Sequence, residues 1–197
     1  DVAVRGDLLP GAKIHLYFDV LAAEDLVSAP DVEIDPPPDV VAMALTETEL
    51  VLAQDLDDPN ADRIFVYDDA DLQGAPVTPS VQVLIPLVGG SNSNQLFDLE
   101  VFGGDAYVLS LQRQPLIAPD FRFRWLVHVF RDVASLTNAS VPSATVELAN
   151  FVATSELIGR TGIEVDADVL VVQTNETLYL ALDPETLAGD ETPDRTL

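Results

Sequence analysis

An antiparallel all-β sandwich is the fold the sequence predicts, on three observations. Apolar and polar residues alternate with period two from one end of the chain to the other. Clusters rich in Pro, Gly, Asn and Asp separate the alternating runs. No amphipathic pattern at helical spacing lasts three turns, so the long crossover helices that parallel strands require are missing. At 197 residues the expectation is one β-sandwich domain over 1–197, a single jelly roll being the leading arrangement, with short helices at most.

The elements follow in order. In the run 13–20, Ile14, Leu16, Phe18 and Val20 share one face. A short helix is expected over 20–28. Asp35-Pro36-Pro37-Pro38-Asp39 reads as a rigid loop crossing the end of the sandwich. Strands come next over 46–53 and 63–67, with the turn Asp57-Asp58-Pro59-Asn60 between them. Further strands are expected over 81–87, 96–102 and 107–113, the last two joined at Phe102-Gly103-Gly104-Asp105 as a hairpin. Phe121–Phe130 is the most aromatic run and should be central, with Phe123 and Trp125 buried between sheets and Arg122, Arg124 and His128 on the opposite face. The remaining strands are Ala144–Ala153, 163–173 and Thr177–Leu182. A short helix over 183–188 would take Asp183 as N-cap and Pro184 as its first residue.

The charge constrains the environment. There are 34 acidic side chains against 9 basic ones, a net charge of −25. Lys13 is the one lysine beside eight arginines, aspartates outnumber glutamates about two to one, and there is no cysteine. This composition resembles that of proteins from extreme halophiles. In molar salt the Debye length falls to about 3 Å, surface carboxylates cease to repel one another, and they keep the chain hydrated. In dilute buffer the same charges push the fold apart. The alternative is an ordinary acidic protein, such as a metal-rich secreted domain. Direct contact with nucleic acid is not expected, because phosphate binding needs clustered Lys and Arg. Disulfides and thiolate metal sites are excluded. The start Asp1-Val2-Ala3 shows no basic-then-apolar signal pattern, and the longest uncharged run, 72–97, is broken by Pro76, Pro79, Pro86 and Gly89-Gly90, so it cannot be a transmembrane helix. The expectation is a soluble protein, peripheral to a membrane at most.

No residue pattern specifies catalysis. His15 and His128 lie in mid-strand and read as partly exposed; neither accompanies a Gly-x-Ser-x-Gly elbow or a second His at zinc spacing. With so many acids, paired carboxylates carry no information about glycoside hydrolysis, and the aromatics that would stack sugars are sparse. Asp58, Asn60, Asp62 and Asp69 fall at positions 1, 3, 5 and 12 of an EF-hand-like loop, but Arg63 replaces the required Gly, Asp69 the Glu, and a strand runs through the middle. A looser cation site drawn from Asp55, Asp57, Asp58, Asn60 and Asp62 remains as a metal candidate, against a solvated acidic loop. Arg122, Arg124 and Arg131 stand out on so acidic a chain. Arg122 and Arg124 are the interface candidates, meeting an acidic neighbour or anionic lipid heads, or else pairing with carboxylates of their own chain. Asn138-Ala139-Ser140 and Asn175-Glu176-Thr177 fit the N-glycosylation pattern, and Arg5-Gly6-Asp7 is read as a coincidental tripeptide.

In composition, length and strand count the chain resembles the single jelly-roll major capsid proteins of halophilic archaeal icosahedral viruses with an internal membrane. The resemblance implies a structural virion protein that assembles into capsomers, with itself or other virion proteins, between brine and a lipid surface. It implies no catalytic residue and no cofactor. A tail or decoration protein would fit the same features. The expected location is the capsid, in an extracellular high-salt setting. Two other classes stay open: a cell-surface or secreted β-sandwich binding module of a halophile, able to hold Ca²⁺, and a hydrolase.

Overall fold

The computed structural model describes residues 2–5, 13–18, 31–46, 48–58, 60–72, 77–153, 160–174, 177–187, 189–191 and 193–197. The chain is all-β, and its sheets pack face to face as in a sandwich. Sheet A is β1 (Val2–Arg5), β2 (Ile14–Phe18) and β3 (Val32–Ile34). Sheet B is β4 (Val40–Leu45), β5 (Glu49–Gln54), β6 (Arg63–Asp68) and β7 (Val81–Leu84), with a single-turn helix α1 (Asp69–Leu72) after β6. Sheet C holds β8 (Ser93–Phe102), β9 (Asp105–Pro115), β10 (Phe121–Phe130) and β11 (Ala144–Ala153). Sheet D holds β12 (Thr161–Val165), β13 (Val169–Thr174) and β14 (Thr177–Leu182). Two short strands complete the set: β15 (Gly189–Glu191) runs parallel to β11 at the edge of sheet C, and β16 (Arg195–Thr196) adds to β14.

The wiring is sequential. Within each sheet neighbours in space are neighbours in sequence, β15 and β16 apart, and every pair except β11–β15 is antiparallel. A jelly roll interleaves distant strands in both of its sheets; here each sheet is a local meander stacked on the next. The first strands of sheets B, C and D lie side by side, β4 against β8 and β8 against β12, so the sheets fan out from a shared inner edge in the manner of propeller blades.

Three apolar layers hold the stack. Ile14, Leu16 and Ile34 of sheet A meet Leu50, Leu52, Phe65 and Tyr67 of sheet B. The other face of sheet B (Val51, Ala53, Ile64, Val66, Val83) meets Leu96, Leu99, Val108 and Phe130 of sheet C. The far face of sheet C carries Phe123, Trp125, Val127 and Val129, which pack on Ile163, Val165, Leu170 and Val172 of sheet D. Sheets B and C are therefore covered on both sides, and β5 and β9 are buried almost throughout. As expected, β10 is central and Phe123 and Trp125 are buried, each 1 % exposed.

Three β-bulges adjust the layers. The one in β8, between Leu96 and Asp98, turns the Phe97 ring to within 5.0 Å of Trp125. The same bulge brings Asp98 Oδ2 to accept from the Ile163 amide at 3.0 Å, which satisfies the inner edge of β12. The β8–β9 hairpin is closed by Gly103 and Gly104 at φ 60° and 86°, as the Gly-Gly pair predicted.

Some expectations change. The run 163–173 is a hairpin of β12 and β13, turned at Asp166, whose Oδ1 accepts from the Asp168 and Val169 amides. The helix expected over 183–188 is one 3₁₀ turn, Pro184–Thr186; Asp183 occupies the N-cap at φ 51° but makes no side-chain cap. β1, β3, β4, β15 and β16 were not anticipated. The helix expected over 20–28 lies outside the described residues, as do Gly6 and Asp7 of the Arg-Gly-Asp tripeptide and Asn175 and Glu176 of the second sequon.

Candidate functional site

The face of sheet C that looks toward sheet B changes character along its length. Near Phe130 it is apolar; toward the opposite end the same alternation presents Ser110 and Gln112 from β9, Arg122, Arg124 and His128 from β10, and Asn94 from β8. Asn94, Ser110, Gln112 and His128 are all buried, forming a polar seam between two sheets.

His128 is fully enclosed, which corrects the expectation of a partly exposed side chain: sheet B covers the face that faced solvent in a two-layer reading. Its Nε2 lies 3.2 Å from Ser110 Oγ and its Nδ1 3.5 Å from Thr145 Oγ1. Burial pushes the imidazole down to about 4, so it is neutral at neutral pH. Bonded to hydroxyls and sealed from substrate, it ties β9, β10 and β11 together. His15 lies on β2, half-buried, with Nε2 3.4 Å from Glu33 Oε2, and Lys13 pairs with the same carboxylate.

Gln112 and Arg124 fasten the loop between β7 and β8. Gln112 Oε1 accepts from the Val88 amide at 2.7 Å, and its Nε2 donates to Pro86 O at 2.8 Å. Arg124 Nη1 donates to Val88 O at 3.3 Å, Nη2 approaches Gln114 Oε1 at 3.5 Å, and Nε lies 3.8 Å from Glu147 Oε2. The guanidinium lies on Gly89, where a Cβ would come within 2.0 Å of Nη1. Arg131 is likewise engaged internally. It pairs with Asp105 and donates to Pro184 O at 2.7 Å and Leu187 O at 2.9 Å, holding the 3₁₀ turn against β10.

The two interface candidates thus part company. Arg124 is engaged by its own loop, whereas Arg122 is partly exposed between Gln114 of β9 and Val152 of β11. Around it, at the same end of sheet C, Ile117 is 90 % exposed, Val152 56 % and Leu116 38 %.

The acidic candidates also divide. Asp57, Asp58 and Asn60 lie on an exposed turn, where Asp58 Oδ1 accepts from the Asn60 amide at 3.0 Å. Asp55 and Asp62 turn inward. Asp62 is fully buried and accepts from the Leu56 amide at 2.7 Å and from Asn94 Nδ2 at 3.0 Å; Asp55 accepts from the Leu96 amide at 3.3 Å. Burial pushes Asp55 up to about 6 and raises Asp62 as well, with neighbouring carboxylates adding to both. Among the described residues no three acidic or histidine side chains gather closely enough to hold a metal ion, so the five candidates do not form one site: Asp57, Asp58 and Asn60 stay on the exposed turn, apart from the inward pair Asp55 and Asp62. β6 occupies the middle of the EF-hand-like loop.

Sequence reasoning missed Asn94 and Gln112. Asn94 sits in Ser91-Asn92-Ser93-Asn94, which reads as turn material, although its spacing of two from Leu96 places it on the inward face of β8. Asn138, from the first sequon, is exposed beside a groove of about 430 Å³ and accepts from the Gln82 amide at 2.8 Å, covering part of the outer edge of β7.

No protein-family model matches this chain, and no curated protein does. Among solved structures it is similar to KlHsv2 with loop 6CD replaced by a Gly-Ser linker, at 12% identity and a TM-score of 0.34, over 96% of this chain and 70% of that one.

Proposed function

We infer that this is a structural protein of a high-salt environment that works by association, most specifically a capsid protein of a halophilic virus. The observation that carries the reading is the end of sheet C, where Leu116, Ile117 and Val152 expose apolar surface beside Arg122 on a chain of net charge −25. In molar salt, carboxylate repulsion is screened and apolar burial strengthened, which favours association through such a patch. A partner of the same composition offers acidic surface to Arg122. The partners are copies of the chain or other virion proteins. Among the described residues no helix is long and apolar enough to cross a membrane.

The test is the native mass in molar NaCl of the wild type and of an Ile117→Asp, Arg122→Glu variant. Oligomers or particles in the wild type that are lost in the variant support the reading. A wild type that stays monomeric at high concentration and is recruited by no virion protein overturns it. The second reading is a cell-surface or secreted binding module, and a monomer that binds a soluble ligand would select it.

A further inference from the structure

We propose that Asp55, Asp62 and Asn94 form a binding site for one hard cation, at the seam where the β5–β6 loop meets β8. Asp62 is 0 % exposed and its carboxylate is held from two sides, by the Leu56 amide and by Asn94 Nδ2. Asp55 is held by the Leu96 amide, two residues from Asn94 on the same face of β8. Among the described residues no basic side chain forms an ion pair with either carboxylate. The other charges that bear on them are Asp39, Asp57 and Asp58, all acidic, and Arg63, whose guanidinium is turned to Ala61 O and Gln82. Buried charge of one sign that no ion pair neutralises is penalised heavily, and proteins resolve it with a proton or a bound ion.

Asn94 supplies the independent pointer to an ion. It is 5 % exposed, its Nδ2 donates to Asp62, and its Oδ1 has no hydrogen-bond partner. That oxygen belongs to the carboxamide already bonded into the cluster. A buried carbonyl oxygen without a donor is rare in folded proteins and calls for an occupant. Two carboxylates and an amide oxygen are the donor set of Na⁺ or Ca²⁺; no nitrogen or sulfur is present to select a softer metal. The ion would join the hairpin loop of sheet B to the inner strand of sheet C, making part of the salt requirement a stoichiometric binding event, separate from screening and from assembly.

The experiment is thermal unfolding of the full chain at neutral pH and one fixed ionic strength, in NaCl, in tetramethylammonium chloride, and in the latter with added CaCl₂. The expected result is a Tm raised by about 5–10 °C by the ion that fits, once it exceeds its Kd a hundredfold. A rise with NaCl alone marks a monovalent site, and a rise with millimolar CaCl₂ a divalent one. Asp55→Asn should abolish the preference, and Asn94→Asp should strengthen the Ca²⁺ response; the second variant decides if the first does not fold. Equal Tm in all three media overturns the proposal. So does an ion preference that Asp55→Asn and Asn94→Asp leave unchanged, since the ion then binds elsewhere.

Discussion

Acidification should weaken the fold through His128, and one substitution isolates the effect. The imidazole is sealed between sheets B and C with hydroxyl partners only, and burial pushes it down to about 4. In the unfolded chain it titrates near pH 6.5. Between those values the unfolded chain binds a proton that the folded chain refuses, so the free energy of unfolding falls as the pH falls. The contribution is fully present above about pH 6.5 and its loss is complete near pH 4, where it amounts to about 3 kcal/mol. His128→Gln keeps a polar group between Ser110 and Thr145 but takes up no proton. Denaturant unfolding of both proteins at fixed molar NaCl, from neutral pH to about 4, gives the comparison. Stability of the variant relative to the wild type should rise by about 3 kcal/mol across that window. Asp55, common to both proteins, acts with the opposite sign: at about 6 in the folded state it takes up its proton before the unfolded chain does, so acidification favours the fold through it. Its contribution cancels in the difference. Parallel pH profiles for the two proteins would refute an enclosed neutral imidazole.

Trp125→Ala should cost about 3–5 kcal/mol, since the indole is 1 % exposed and packs against Phe97. Red-shifted, easily quenched Trp fluorescence in the native protein would contradict that burial. Gly89→Ala should destabilise by about 1–2 kcal/mol from its φ of +58° alone, with the contact on Arg124 adding to it. In the double variant with Arg124→Ala the loss should be smaller than the sum of the two single losses; strict additivity in a double-mutant cycle would show that the guanidinium does not lie on Gly89. Lowering NaCl well below molar should unfold or dissociate the protein, because carboxylate repulsion then exceeds a marginal folding free energy. A melting temperature that is flat or higher in low salt would remove the halophilic reading.

The strands whose bounds were legible in the sequence are those whose two faces differ. Phe121–Phe130 alternates large apolar residues with Arg122, Arg124 and His128, and Ala144–Ala153 and Thr177–Leu182 alternate similarly; all three have the expected bounds. β4 was missed because Val-Val-Ala-Met-Ala-Leu is apolar on both faces, as befits a strand of a sheet covered on both sides. The β12–β13 hairpin was read as one strand because Asp166-Ala167-Asp168 holds neither Gly nor Pro; its turn is made by the Asp166 side chain. Ten runs were legible where the structure has sixteen strands among the described residues, and the wiring was not legible at all, since alternation fixes which face of a strand is buried and leaves its neighbour open. The candidate site followed the same divide. The shared face of Arg122 and Arg124 was visible, but that Arg124 would be engaged by the Val88–Gly89 loop depends on a contact 36 residues away in sequence.

Because each sheet is assembled from consecutive strands, the order in which the chain can acquire structure is largely written into its wiring. Hairpins such as β8–β9, β9–β10 and β13–β14 close short loops and need no distant partner, so each meander can form as its residues become available. A sheet covered on only one side leaves its other apolar face waiting for the next sheet to arrive, which makes the partly made chain the aggregation-prone species. The contact that must come late is β15 on β11, because it joins the segment after sheet D back to the sheet before it. Synthesis in chain order therefore favours sequential stacking, with β15 reaching β11 only after sheet D has been made.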